Sequence, residues 1–117
     1  MSNRKTIFIR TDASGDFTWE RNFQQVIHAF ELQLGDLSTP DIDITDDTYS
    51  QTFLSVNGVA ADTAYYPATK LQTSGGADFD IGTGLDAAGP AVCMGVLKVV
   101  VAGGGDTKKG RLVVLYS

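Results

Sequence analysis

The sequence has very little of the residues from which most catalytic and metal centres are built. Its 117 residues include one cysteine, Cys93, and one histidine, His28. A single cysteine cannot form an intrachain disulfide, and one histidine with one cysteine cannot supply the usual zinc ligands. A Ser–His–Asp or Cys–His centre would have to use His28, and there is no GxSxG motif. We therefore predict that the protein is not an enzyme and has no cofactor or metal site. We expect His28 to be partly buried beside one hydrogen-bond partner and Cys93 to be a buried, inert thiol.

Long apolar runs and basic runs are also missing. No stretch approaches the roughly 18 consecutive apolar residues that a transmembrane helix needs, and the start of the chain, MSNRKTIFIR, has too short an apolar stretch for a signal peptide. The formal net charge is −5 and the pI is about 4.5. An acidic chain without a basic run binds phosphate backbones poorly. We therefore expect no nucleic-acid partner and no membrane association, and a protein that is either made and kept in the cytoplasm or carried outside by a route other than general secretion.

Glycine is abundant, and residues 103–110, GGGDTKKG, could be either a phosphate-binding loop or a turn. A phosphate-binding loop needs Lys and then Ser or Thr after its second glycine, followed by a helix. Here Lys108 and Lys109 precede Gly110, and an apolar, β-branched run follows. We interpret the segment as the exposed turn of a C-terminal hairpin. In the first strand of this hairpin, Val99 and Val101 alternate with Val100. In the second, Leu112, Val114 and Tyr116 alternate with Val113 and Leu115. We expect one face of the hairpin to lie in the core and the other to lie against a subunit or a second sheet.

Apolar residues recur with a period of two along most of the chain. Glycine, proline, asparagine and aspartate separate the periodic segments, and Pro67 argues for an edge strand. Short strands with this spacing are typical of an antiparallel sandwich or barrel. We predict one all-β domain over residues 1–117 with seven or eight strands, at residues 5–11, 17–21, 26–34, 41–45, 51–56, 64–71, 91–102 and 111–116.

The segment 26–34 shows the clearest alternation. One face carries Val26, His28, Phe30, Leu32 and Leu34. A helical interpretation stays open, because residues 23, 26, 27 and 30 also have helical spacing. We favour a strand, with a possible helical turn at residues 22–25.

Four aspartates fall within DIDITDD, at Asp41, Asp43, Asp46 and Asp47. Calcium binds such clusters, but an EF-hand loop would need glycine at its sixth position and glutamate at its twelfth. The chain has Asp46 and Thr52 there. Paired carboxylates also serve glycosidases, although no aromatic cluster flanks these residues. We interpret Asp41 and Asp43 as the solvated face of a strand whose other face carries Ile42 and Ile44.

The aromatic residues permit two interpretations. Trp19, Tyr49, Tyr65 and Tyr66 could form a stacking platform for a sugar. Aromatic side chains on strands more often belong to a core or to a subunit interface. We favour the second interpretation and keep the first as an alternative.

Four stretches together carry a resemblance to a known group of proteins: FELQLGDLSTPDIDITDD, TFLSVNG, TAYYPATKLQTSGG and AGPAVCMGVLKVVVAGGGDTKKGRLVVLYS. The chain resembles small virion proteins of tailed bacteriophages in its Gly–Asp–Leu turn (35–37), its D-I-x-I-T-D strand (41–46), its Tyr–Tyr–Pro segment (65–67) and its glycine-turned C-terminal segment (96–116). The resemblance implies a β-sandwich, jelly-roll-like, located on the phage particle. It brings no catalytic residue with it.

The role that this resemblance implies is that of a head decoration, or cement, protein on the capsid exterior. Its expected partners are the major capsid protein and itself, as a homotrimer. A carbohydrate-binding virion module and a neck or tail component are the alternatives. We expect contacts from an N-terminal arm (1–5), through Arg4 and Lys5, and from a long loop (72–90), whose Phe79, Ile81 and Leu85 have little local core to enter.

Overall fold

A computed structural model of the chain describes residues 3–70 and 88–117. This part of the protein is all-β, as predicted, and the segment that also had helical spacing is a strand. No helix within it is long and apolar enough to cross a membrane. The ten strands of these residues are β1 (Asn3–Arg10), β2 (Phe17–Asn22), β3 (Gln25–Gln33), β4 (Asp41–Asp46), β5 (Gln51–Val56), β6 (Thr63–Tyr65), β7 (Ala68–Lys70), β8 (Ala88–Cys93), β9 (Val96–Ala102) and β10 (Lys109–Tyr116).

The strands form two antiparallel sheets with a jelly-roll order. Sheet A has the order β1-β10-β3-β8-β7, and β6 also pairs with β3; sheet B has the order β2-β9-β4-β5. Only β4–β5 and β7–β8 are both consecutive in sequence and paired. Except between β6 and β7, which both belong to sheet A, the other connections pass from one sheet to the other, so that β1-β10-β3-β8 faces β2-β9-β4-β5. Eight strands interleaved in this way make the double-sheet jelly roll.

The core lies between the two sheets and is aliphatic. Both sheets supply every second residue, because successive side chains of a strand point to opposite faces. Within sheet B, Ile42 and Ile44 are buried as predicted; Val99 and Val101 share the core face, and Leu97 joins them. Sheet A contributes Ile7, Ile9, Phe30, Leu32, Leu112 and Val114.

The C-terminal hairpin prediction is wrong, because β9 and β10 belong to different sheets. The glycine-rich segment is an arch that carries the chain from sheet B to sheet A. It is also bound by its neighbours: Thr11 Oγ1 donates to the Gly105 carbonyl at 2.6 Å and accepts from the Lys108 N–H at 2.8 Å. The Ser38 N–H donates to the Gly104 carbonyl at 3.0 Å. Positive φ angles at Gly103 and Gly105 allow this tight path.

Strand β3 contains a bulge that changes the face on which its residues lie. Ala29 pairs with Leu115 of β10, whereas Ile27 pairs with Tyr116, so His28 is the extra residue. Both His28 and Ala29 therefore point away from the core, and Ile27 takes the inward position on which the simple alternation had placed His28. Phe30 and Leu32 are on the core face, as predicted.

Four predicted boundaries change. The segment 64–71 divides into β6 and β7 around Pro67, and β7 is the edge strand of its sheet, as the proline indicated. The segment 91–102 divides into β8 and β9 at residues 94–95, where the chain changes sheet. Residues 3–5 of the expected arm form the start of β1, paired with β10. Of the expected loop 72–90, residues 88–90 begin β8 and the others lie outside the described residues.

Two leucines of β10 offer a test of this arrangement. Leu112 is buried in the core, whereas Leu115 lies half-buried on the outer face of sheet A. We expect Leu112→Ala to lower the free energy of unfolding by about 2–5 kcal/mol and Leu115→Ala to lower it by about 1 kcal/mol or less. Chemical denaturation of both variants measures the difference, and equal losses would contradict the assignment of the two faces.

Candidate functional site

The space between the sheets holds the hydrophobic core of the described residues. Every buried polar side-chain atom of the described residues has a hydrogen-bond partner. The depressions found on this part of the chain are shallow and open at the surface. Two of them, of about 330 and 340 Å³, lie beside Trp19 and Phe8 respectively.

The acidic cluster is not a uniformly solvated face, because Asp46 is fully buried. Its Oδ1 accepts hydrogen bonds from the backbone N–H groups of Thr48 at 3.1 Å and Tyr49 at 3.4 Å, and its Oδ2 accepts one from Met94 at 3.0 Å. The carboxylate thus joins the β4–β5 turn to the point where the chain leaves β8. Its acceptor positions are occupied by backbone donors, so we assign it a structural role.

The other aspartates of the cluster are more accessible, as predicted. Asp43 accepts a hydrogen bond from Ser55 Oγ at 2.6 Å, and Asp41 accepts one from the Gly58 N–H at 2.8 Å. Asp47 lies 3.9 Å from Lys98 Nζ. No group of three or more His, Cys, Asp or Glu side chains arranged to hold a metal ion occurs within residues 3–70 and 88–117.

The cysteine and the histidine occupy different environments. Cys93 is buried, as predicted. Burial raises the pKa of its thiol from 9.0 to about 11; the Gly95 N–H opposes this shift, and the charge and hydrogen bond of Asp46 add to it. The prediction of a partly buried His28 is wrong, because the bulge places it on the exposed outer face. Its Nε2 lies 2.8 Å from Ser117 Oγ, so the expected single partner is present.

The four aromatic residues considered as a sugar platform do not share a surface. Trp19 and Tyr65 pack against the core. Tyr49 and Tyr66 are exposed. Trp19 belongs to a row across sheet B in which Val99 and Ile44 face inward. Its remaining exposed edge lines a notch with Lys5 and Tyr116, and the Arg21 guanidinium stands 5.9 Å from its ring centroid.

The predicted contact residues fall into two groups. Arg4 and Lys5 are exposed on β1; Arg4 pairs with Glu31 at 4.0 Å, and Lys5 lines the notch beside Trp19. Phe79, Ile81 and Leu85 lie outside the described residues. The two groups therefore remain predictions.

An exposed aromatic residue that was not among the predicted contacts stands out on sheet A. Phe8 is 74% exposed on the outer face of β1, opposite Arg111 of β10. Arg10 and Lys109 form the next outward pair. The signal was present in the sequence, because Phe8 alternates with Ile7 and Ile9, which are buried. The cations around it could not be assigned from the sequence, since β1 and β10 lie at opposite ends of the chain.

No protein-family model, curated protein or solved structure shows a significant match to this chain.

The buried carboxylate predicts a large difference between two aspartates of one strand. In Asp46→Asn, the amide NH₂ must face one of the three backbone donors, which leaves a buried N–H unsatisfied. We expect this change to lower the free energy of unfolding by about 1–3 kcal/mol. Asp43→Asn keeps an oxygen acceptor for Ser55 at an exposed site and should change stability by no more than about 0.5 kcal/mol.

Denaturant unfolding of both variants makes this comparison. A chelator is expected to leave the melting temperature of the wild-type protein unchanged, because backbone N–H groups already occupy the Asp46 oxygens. Equal stability of Asp46→Asn and Asp43→Asn would contradict the structural role of Asp46.

The raised pKa of Cys93 predicts slow thiol chemistry in the folded protein. A shift from 9.0 to about 11 lowers the thiolate fraction near pH 8 by about 100-fold, and burial restricts reagent access further. We expect iodoacetamide to modify the native protein at least about 100-fold more slowly than the urea-unfolded chain. The native rate should rise with pH up to about 11. Equal native and unfolded rates, measured by mass spectrometry, would contradict this environment.

Proposed function

We propose that this protein is a structural component of a bacteriophage virion, a decoration protein that binds the outside of the head and stabilises the shell. The observation that carries the proposal is the jelly-roll fold with an aliphatic interior, which agrees with the fold implied by the sequence resemblance. A protein of this kind acts by presenting rigid outer surfaces. Its partners in this proposal are the major capsid protein and further copies of itself.

The jelly-roll fold also occurs in cupins and lectins, so the residues must favour one role over the others. A pocket for metal or substrate inside the sandwich would need room and polar ligands there, and in the described residues the interior positions are held by aliphatic side chains. The single histidine lies on the outer face. These features support a surface-acting structural role over an enzymatic one.

A homotrimer is part of the proposal. Symmetric sites on a shell favour symmetric oligomers, and a small domain gains stability by sharing apolar surface with its copies. In this proposal Arg4 and Lys5, together with Phe79, Ile81 and Leu85, contribute to contacts with the shell or with sister subunits. These contacts would lie on the capsid exterior.

Two other virion roles are distinguished by experiment. A carbohydrate-binding module for host attachment would use the partly exposed Trp19, and its glycan binding should then be lost in Trp19→Ala. A neck or tail component would be found at a single vertex of the particle. Neither role has an observation in its favour that equals the fold and its filled interior.

The test uses phage heads that lack the protein. Added in purified form, the protein should bind in many copies across the head and raise the temperature at which the heads release DNA. Cryo-electron micrographs give the location and copy number, and a fluorescence release assay gives the stability. A serum albumin control of similar concentration should do neither. Binding at one vertex, or unchanged head stability, would contradict the decoration role.

A further inference from the structure

The outer face of sheet A combines an exposed aromatic side chain with excess positive charge. Four cations point outward from β1 and β10: Arg4, Arg10, Lys109 and Arg111. Among the outward-pointing residues of these two strands and of residues 29–33 of β3, the one carboxylate is Glu31, so their formal charge is +3. Phe8 lies within this set, and Arg111 Nε donates to Gln33 Oε1 beside it. We call this the basic face. It is unexpected in a chain whose net charge is −5.

Two carboxylates rim the basic face, and when they are counted the formal charge of the face with its rim is +1. Asp62 lines the depression next to Phe8, and its Oδ1 accepts the Leu34 N–H at 2.9 Å. Asp36 Oδ1 accepts the Lys109 N–H. Both carboxylates accept backbone N–H groups at the end of the sheet and keep their negative charge.

The outer face of sheet B has the opposite charge. Its outward positions carry Glu20, Asp41, Asp43 and Asp47 against one cation, Lys98, a formal charge of −3. Lys98 is shared between Glu20 at 3.5 Å and Asp47 at 3.9 Å. The other residues in the cross-strand row through Asp43 have small side chains: Thr18, Val100 and Ser55. We call this the acidic face.

The two faces cannot meet within one molecule, because the core separates the sheets and the faces point in opposite directions. Between molecules they are complementary in charge. Phe8 is 74% exposed among the described residues, so its ring can be buried against another chain, and the row of small side chains beside Asp43 can accept it. We propose that the basic face of one copy docks on the acidic face of a second copy, with Phe8 as the central apolar anchor.

Such a contact is heterologous, since it joins two different surfaces of the same chain. Heterologous contacts build rings when the rotation closes and filaments when it does not. Aromatic residues and arginine dominate the energetics of many interfaces, and charge complementarity selects the partner and the register. Because the two faces point in opposite directions, this contact stacks copies into an open assembly and does not close into the homotrimer of the proposed function. The contact therefore goes beyond that function and does not rest on the trimer.

The test reverses the charge of each face and then of both. Arg10→Glu/Arg111→Glu reverses the basic face, and Asp43→Lys/Asp47→Lys reverses the acidic face. Sedimentation velocity over a concentration series should show each variant self-associating at least about tenfold more weakly than the wild type. Phe8→Ser should do the same. The variant that carries all four substitutions should associate again, because the charges of the two faces are then exchanged and still attract each other.

Matched controls separate this effect from net charge and from misfolding. Arg21→Glu/Lys108→Glu changes the net charge by the same amount as the basic-face reversal, but at positions outside that face, and should associate like the wild type. Melting curves confirm that each variant folds. Association of the wild type should also weaken in 1 M salt, where charges are screened within about 3 Å.

Three results would overturn the inference. These are a wild-type protein that stays monomeric throughout the series, single-face reversals that leave association intact, or a four-fold reversal that does not restore it. The head-binding experiment is independent of all three. If the wild-type protein is monomeric and still stabilises heads, the decoration role stands and this contact does not. If the protein self-associates but does not bind heads, the contact stands and the decoration role does not.

Discussion

One buried carboxylate holds the place where the chain passes from sheet A to sheet B. Asp46 ends β4, and its oxygens accept N–H groups both from the following turn and from Met94, which lies just after β8. A side chain at Gly95 would stand 2.5 Å from Thr48 Cβ, so only glycine fits this close approach. The Phe23 N–H in turn donates to the Gly95 carbonyl at 2.9 Å. Three separate parts of the chain therefore meet at one crossing.

This crossing makes the interleaved fold possible. Because β8 and β9 lie in different sheets, β9 can insert between β2 and β4 while β10 inserts between β1 and β3. The arch after β9 is held in the same manner, by Thr11 and by backbone bonds from neighbouring turns. Polar anchors at the ends of the sandwich thus free its middle for aliphatic packing.

The sequence alone predicts the fold class and most of the inward-facing residues. Alternation is a local signal: it correctly identified Ile42 and Ile44 as core residues and correctly put Val99 and Val101 on one face, without deciding which face enters the core. The jelly-roll topology followed only from the resemblance, because strand partners are set by contacts between distant residues. The hairpin interpretation failed for this reason: two apolar runs joined by glycines have the same local pattern whether they pair or enter opposite sheets.

The bulge and the buried aspartate were beyond prediction for a related reason. One extra residue in β3 exchanges His28 for Ile27 on the core face, and no local pattern announces it. In the sequence, Asp46 looks like its neighbours Asp43 and Asp47. What distinguishes it is the fold, which brings the backbone N–H of Met94, just after β8, to its carboxylate. The candidate site was equally hidden, since Phe8 and Arg111 become neighbours only through the pairing of the first and last strands.

The same long-range pairing explains why net charge is a poor guide to the surface of this protein. Composition gave an acidic chain, and acidic chains repel their own copies at low ionic strength. Strand pairing instead collects arginines from both ends of the chain on sheet A, while the acidic strand β4 lies within sheet B, opposite. A molecule divided in this way can attract its copies in one orientation and repel them in others.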